Sequence, residues 1–379
     1  MIQTRTSIRI LICFLLSLVV TPAVAVEFAV VGPRAVGMGG AGVAVTTDSL
    51  ATYWNPAGLA MTQTVDIRAQ ASAQGIDRLS VRKTLNDIEN LDKNNPANIG
   101  RAQDLANRIN QPGASLSAIG SAGLYFKGHL GEHAFGFNVS DVATAGGFIS
   151  DRVRANAPVA PGQPITIAGQ MAFRGLEARQ AAFSYAYAFA DKTFALGITG
   201  KLIQGAAYTG TATINGSDVK LSDNFGKSKQ STAFGIDVGA IYRPSSWLRF
   251  GVVAKDLNQP EFDAPDGTKF KLNPQVRGGI AINPYSSLTL TGDVDATSNK
   301  TLVPGQKSQV LSLGAEQTIL SEFLSLRIGA LKNMQDAASP FTPTAGFGLR
   351  VFAFRMDFGG GYDFRERGIL ASGSVSLTF

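Results

Sequence analysis

Few residues of this chain have types that could do chemistry: two histidines with a glutamate beside them, one cysteine, and a cluster of glycines. His129 and His133 bracket Glu132, a set that could act as a general base or as part of a metal site. A hydrolase needs a nucleophile held beside such a base, and a zinc site needs converging ligands. The histidines instead fall on the two sides of Gly128–Gly131, which reads as a tight turn, so solvated turn residues are expected. The glycines lie in Gly32-Pro33-Arg34-Ala35-Val36-Gly37-Met38-Gly39-Gly40-Ala41-Gly42. Such a run can cradle phosphate, but no Gly-Lys-Ser/Thr follows and the strand, helix and acidic residue of a dinucleotide fold are missing. No enzyme activity, cofactor or metal is expected. Gly37, Gly39, Gly40 and Gly42 read instead as places of close packing, and Asn55-Pro56 as a turn.

The elements that position these residues begin with an export signal. Arg5 and Arg9 precede the apolar run Ile10–Val20, and Ala23-Val24-Ala25 is an A-x-A cleavage site, so residues 1–25 read as a signal peptide cut after Ala25. A lipoprotein anchored at Cys13 is disfavoured, because that cysteine lies inside the apolar run behind Ile12. Cys13 is the only cysteine, so the exported chain can form no disulfide of its own. Hydrophobic residues make up 45% and charged residues 16%, yet no later apolar run is long enough for a membrane helix. The formal charge of +6 shrinks when Arg5 and Arg9 are removed, and no Lys/Arg block suggests nucleic acid.

The apolar residues are spread over short alternating segments, the pattern of a transmembrane β-barrel. In the last ten residues Ala371, Val375, Leu377 and Phe379 share one side, and Ser372, Ser374, Ser376 and Thr378 the other. Phe183, Tyr185, Tyr187 and Phe189 alternate likewise, as do Phe234, Ile236, Val238, Ala240 and Tyr242. Short turns near Gly128–Gly131, Asp191-Lys192, Pro244–Ser246, Pro284-Tyr285, Leu320-Ser321 and Ala353 alternate with long connections. These are read at 149–175, 210–229, 257–272, 298–306, 335–341 and 363–368. The fold class expected is all-β: an antiparallel transmembrane barrel of roughly 14 strands over 65–379, with its C-terminus and short turns periplasmic in the cell outer membrane. A soluble sandwich would bury one face against protein and expose fewer aromatics. Lys201, Asp237, Arg249, Lys255, Arg277, Asp293, Asp295, Arg327, Arg350, Arg355 and Asp357 should face the lumen, as a selectivity filter or, preferentially, as a structural network.

Two segments depart from the period of two. Between a first strand (65–82) and a second (115–127), Leu85, Ile88, Leu91, Leu105 and Ile109 recur at helical spacing, giving a helical excursion over 84–111 on the outer side. Residues 26–64 hold the glycines, Asp48 and Tyr53-Trp54-Asn55-Pro56-Ala57-Gly58-Leu59, and read as a plug inside the lumen.

That last motif, with Gly37-Met38-Gly39-Gly40-Ala41-Gly42, resembles the N-terminal hatch of the FadL-type outer-membrane transporters of hydrophobic compounds. The chain as a whole looks most like the barrel family labelled TraF-type plasmid-transfer protein. Asp104–Asn110, Leu248–Leu257 and Gly292–Thr297 carry that second likeness. An unrelated thioredoxin-like protein shares the label, but this chain has no Cys-x-x-Cys. The resemblance implies a 14-stranded barrel with a hatch. The function expected is transport of small hydrophobic compounds, gated where glycines and a turn allow the hatch to move, at Gly37, Gly39, Gly40, Gly42, Asn55 and Pro56. The alternative is an envelope-assembly or conjugation-associated barrel that binds protein partners. Expected partners are outer-membrane lipid, the barrel-insertion machinery and a small hydrophobic ligand. An apolar pocket in the lumen would favour transport; a lumen filled by hatch and paired charges would favour assembly.

Overall fold

A computed structural model describes residues 27–215, 218–320, 322–336 and 340–379. The expected signal peptide, its cleavage site, Cys13 and Ser321 lie outside the described residues.

The chain opens with an N-terminal segment containing α1 (Pro33–Gly37), α2 (Ala51–Trp54) and a 3-10 turn (Pro56–Met61). Fourteen long strands follow: β1 (Asp66–Arg78), β2 (Ser115–Leu130), β3 (His133–Asn156), β4 (Thr166–Phe189), β5 (Phe194–Asn215), β6 (Ser228–Ser245) and β7 (Leu248–Lys255) form the first half. The second half is β8 (Gln275–Tyr285), β9 (Leu288–Asp295), β10 (Val310–Ile319), β11 (Leu324–Asn333), β12 (Thr342–Val351), β13 (Phe354–Asp363) and β14 (Gly368–Thr378). Each pairs antiparallel with its sequence neighbours, and β1 closes the ring on β14 from Asp66↔Thr378 to Gly75↔Ile369.

Alternation is what permits closure. On β14 Ser372, Ser374 and Ser376 point inward and are buried, while Ile369, Val375 and Leu377 are exposed on the outer wall. Polar residues inside and apolar residues outside is the pattern of a sheet whose outer solvent is lipid. Near the short-turn end, Phe135 meets Tyr185, and Phe189 meets both Tyr187 and Phe194, as an aromatic belt. Phe379 exchanges two backbone hydrogen bonds with Val65, of 2.9 and 3.0 Å, securing the seam at that end.

Several boundaries move from those expected. The first strand ends at Arg78 rather than residue 82, because Leu79 and Ser80 take left-handed backbone angles (φ 59° and 56°) before a helix starts. That helix, α3 (Val81–Glu89), and its successor α4 (Ile99–Ile109) bury Ile88, Leu105 and Ile109 against Val153, Ile165, Ile167 and Met171. This packing explains a second correction: 149–175 is not a loop, since β3 and β4 continue through most of it and only 157–165 connects them. The 210–229 stretch likewise holds strand, with Asp218–Leu221 folding back on Ala212–Asn215. Two small hairpins, Glu261–Asp263 with Lys269–Lys271 and Asn299–Lys300 with Lys307–Ser308, fill the connections after β7 and β9.

The N-terminal segment lies inside this ring. Inward-facing glycines of β10 to β13 admit it: a Cβ on Gly329 would stand 2.3 Å from the Gly39 amide nitrogen, and one on Gly314 2.5 Å from Met38. A side chain at Gly120, on the outer wall, would meet nothing within 4 Å. Gly329→Val should therefore cost about 1–3 kcal/mol through overpacking, seen as earlier loss of the folded, heat-modifiable band on gels. Gly120→Ala should migrate and melt as the parent does.

Candidate functional site: the occluded lumen

The segment is first held to itself. Tyr53 and Trp54 pack edge to face and both meet the Phe28 ring, with centroids 5.3–5.8 Å apart. Trp54 donates from Nε1 to the Val31 carbonyl at 2.8 Å, and the Tyr53 hydroxyl donates to Ala29 at 2.9 Å. Gly42 lies under the indole, where a Cβ would come within 2.3 Å of it. Asn55 accepts from the Ala57 amide, which starts the 3-10 turn at Pro56, and its Nδ2 donates to Val43 and to Ala240 of β6.

It is then held to the barrel. The Gly42 and Val43 amides donate to one Asp293 oxygen at 2.7 and 2.8 Å. The Gly39 amide, at φ 67°, donates to the Thr344 hydroxyl at 2.9 Å. Gly37 abuts Arg327 and Gly346, and Gly40 abuts Ser312. Lys127 donates to the carbonyls of Thr47 and Thr62 at 2.7 and 2.9 Å, and Arg249 to that of Ala44 at 3.2 Å.

A chain of charges begins and ends on the segment. Arg34 pairs with Glu316 at 2.6 Å, Glu316 with Arg327 at 2.6 Å, and Arg327 with Asp357 at 2.8 Å. Asp357 meets Arg355 at 2.9 Å and Arg68 at 3.6 Å, and Arg68 returns to Asp48 of the segment at 2.9 Å. Two further groups lie nearby: Lys201 bridges Asp237 and Asp256 at 2.7 and 2.6 Å, and Arg277 pairs with Asp295 at 2.6 Å. Removing one member of such a buried set strands its partner in a low-dielectric interior, which costs far more than the intact pair contributes.

Ten of the eleven charges singled out above (Lys201, Asp237, Arg249, Lys255, Arg277, Asp293, Asp295, Arg327, Arg355 and Asp357) thus touch this assembly or line it. Arg350 does not: it is half-exposed at the short-turn rim, paired with Glu322 at 2.6 Å. Inspection of the sequence missed Arg34, Arg68, Lys127 and Glu316. His133 sits on the outer face with Nδ1 2.8 Å from the Tyr185 hydroxyl, whereas His129 pairs across the hairpin with Ala134, so the two do not converge. Among the described residues no three His, Cys, Asp or Glu side chains gather as a metal site.

Two small cavities lie inside among the described residues. One lumen cavity of about 60 Å³ is lined by Glu27, Phe28, Tyr53, Leu176, Lys201 and Lys255; another of about 70 Å³ lies beside Ile76, Arg78 and Leu302. Both are smaller than the ~150 Å³ cavity known to admit benzene. Phe262 and Phe270 of the first hairpin are fully buried with Leu176, Ile203 and Leu302, roofing the lumen at the long-loop end. Larger hollows, of about 440 and 560 Å³, lie on the outer wall beside Ala118, Ala145 and Phe173.

The chain forms a closed 14-stranded barrel with its N-terminal segment in the lumen, and solved structures share the barrel fold. The Ralstonia pickettii toluene transporter TbuX superposes with a TM-score of 0.56 at 14% identity, over 92% of this chain and 97% of that one. The CymD monoaromatic hydrocarbon channel gives 0.54 at 14% identity, over 93% and 98%. The Pseudomonas putida toluene transporter TodX gives 0.53 at 11% identity, over 94% and 99%. These neighbours are transporters and channels rather than enzymes. No curated protein matches the sequence. Residues 52–295 match the family described as F plasmid transfer operon, TraF, protein, and the chain belongs to that family.

The charge chain predicts a measurable coupling. In a double-mutant cycle of Arg34→Ala and Glu316→Gln, unfolding in urea from lipid vesicles should give an interaction energy of about 1.5–3 kcal/mol. Arg350→Ala, at the rim, should change stability by less than about 1 kcal/mol.

Proposed function

We propose that this chain is an outer-membrane channel for small hydrophobic compounds, closed by a hatch formed from residues 26–64. The observation that carries the reading is how the segment is held. It crosses the lumen on hydrogen bonds, ion pairs and glycine-faced contacts, all reversible, inside a barrel shaped like those of the toluene transporters. In this reading the C-terminus and short turns are periplasmic, and the α3–α4 hairpin with the long connections faces outward. A compound gathered there enters as the segment yields between Gly37 and Asn55-Pro56, where glycines face the barrel wall. The mixed inward charges act chiefly to anchor the hatch. Lipid and the barrel-insertion machinery, which would read the strand ending at Phe379, are the partners this location requires.

One observation favours a second reading, an assembly or conjugation-associated barrel: the lumen is filled and its cavities are small. The two readings separate in planar bilayers. Deleting residues 27–60 from the exported chain should raise single-channel conductance severalfold over the parent and speed toluene entry into vesicles. A correctly folded deletion protein that stays silent in both assays would refute the hatch. A rise in conductance with no toluene entry would leave the hatch and remove the cargo.

A further inference from the structure

Phe28, near the start of the described segment, occupies an unusual place. The Arg277 guanidinium carbon lies 4.0 Å from its ring centroid and the Lys255 ammonium 4.5 Å, so one phenyl ring contacts two cations. Lys255 also lies 3.3 Å from the Tyr53 ring centre. Both cations are buried, at 6% and 1% exposure. Arg277 gives only Nε to Asp295, and among the described residues its two terminal nitrogens have no hydrogen-bond partner. Among the described contacts, Lys255 reaches no carboxylate within salt-bridge distance; Asp237 and Asp256 are both taken by Lys201. The two Arg277 donors, unmet and buried, are costly unless a partner visits them. Lys255, Phe28 and Glu27 border the small lumen cavity, whose other walls include the apolar Val142, Leu176, Ala178 and Leu272.

We propose that the space held by Phe28 is a binding site for a small aromatic carboxylate, and that Phe28 is its built-in competitor. A phenyl ring fits there because one already does, and cation–π attraction favours it. The carboxylate supplies what Phe28 lacks, an acceptor for the free donors of Lys255 and Arg277. Glu27-Phe28 brings an acid and a ring to the same cavity, a covalent imitation of such a ligand. With Phe28 displaced, its volume joins the cavity and the segment loses its clasp on β7 and β8. This inference rests on the hatch reading and names the ligand class that would open it.

The test uses the whole exported chain in detergent micelles. Trp54 and Trp247 are the only tryptophans, and Trp54 touches Phe28, so Trp247→Phe leaves one reporter at the site. Phenylacetate should shift Trp54 emission saturably, with toluene and acetate each binding at least roughly tenfold more weakly. Lys255→Met should weaken phenylacetate binding about tenfold. Phe28→Leu, which keeps apolar bulk but removes the ring, should tighten it by a similar factor. Equal binding of toluene, weaker binding in Phe28→Leu, or no saturable response in a folded protein would each overturn the proposal. Any of these, with a deletion protein that still conducts, would sink the ligand assignment and spare the hatch. A silent deletion protein, with a full-length chain that nonetheless binds phenylacetate as described, would do the reverse.

Discussion

A sheet that crosses a bilayer has no water for its edges, so it must close, and closing creates an interior that must also be satisfied. That second consequence governs this structure. The inward positions of the strands carry Arg68, Arg277, Asp293, Glu316, Arg327 and Asp357, all buried and unable to remain unpaired. Some pair with one another across strands. Others are completed by the N-terminal segment, whose Arg34, Asp48 and Gly42-Val43 amides supply the missing partners.

The same constraint explains where glycine occurs. Gly314 pairs with Gly329 across β10–β11, and Gly346 with Gly359 across β12–β13. These four leave the inner wall bare on one side, and the backbone of α1 and Met38-Gly39 lies against it. On the opposite side Gly197 and Gly239 do the same for Asn55-Pro56. The segment is thus set in a channel of missing side chains and fixed by charges, a combination that gives specificity of place without a large apolar core.

How much of this could be read from the sequence depends on whether the pattern is local. The strand ending at Phe379 was legible because lipid outside and polar lumen inside impose a period of two within ten residues. Residues 149–175 were not: above the barrel, helices cover Ile167 and Met171 while the 261–271 hairpin covers Leu176, so neither face stays polar and alternation disappears. Arg34 and Glu316 lie 282 positions apart, and no local signal joins them. Arg350 follows the inward register, yet at the strand's last turn it finds Glu322 instead of the lumen. A signal for the segment's seat was present in the recurring inward glycines of β10 to β13; it becomes readable only when strand register is known.

The central claim is that the segment closes the lumen and must move for anything to pass. A Cβ on Gly40 would lie 3.0 Å from the Ser312 oxygen, within reach of a disulfide though strained by the φ of 87° at Gly40, and Cys13 is the only natural cysteine. The most direct measurement is toluene flux into vesicles bearing the double variant Gly40→Cys with Ser312→Cys, before and after reduction. The account predicts that flux is blocked while the disulfide holds and returns on reduction to the level of the parent. Flux that is the same in both states, with the disulfide shown to have formed, would contradict it.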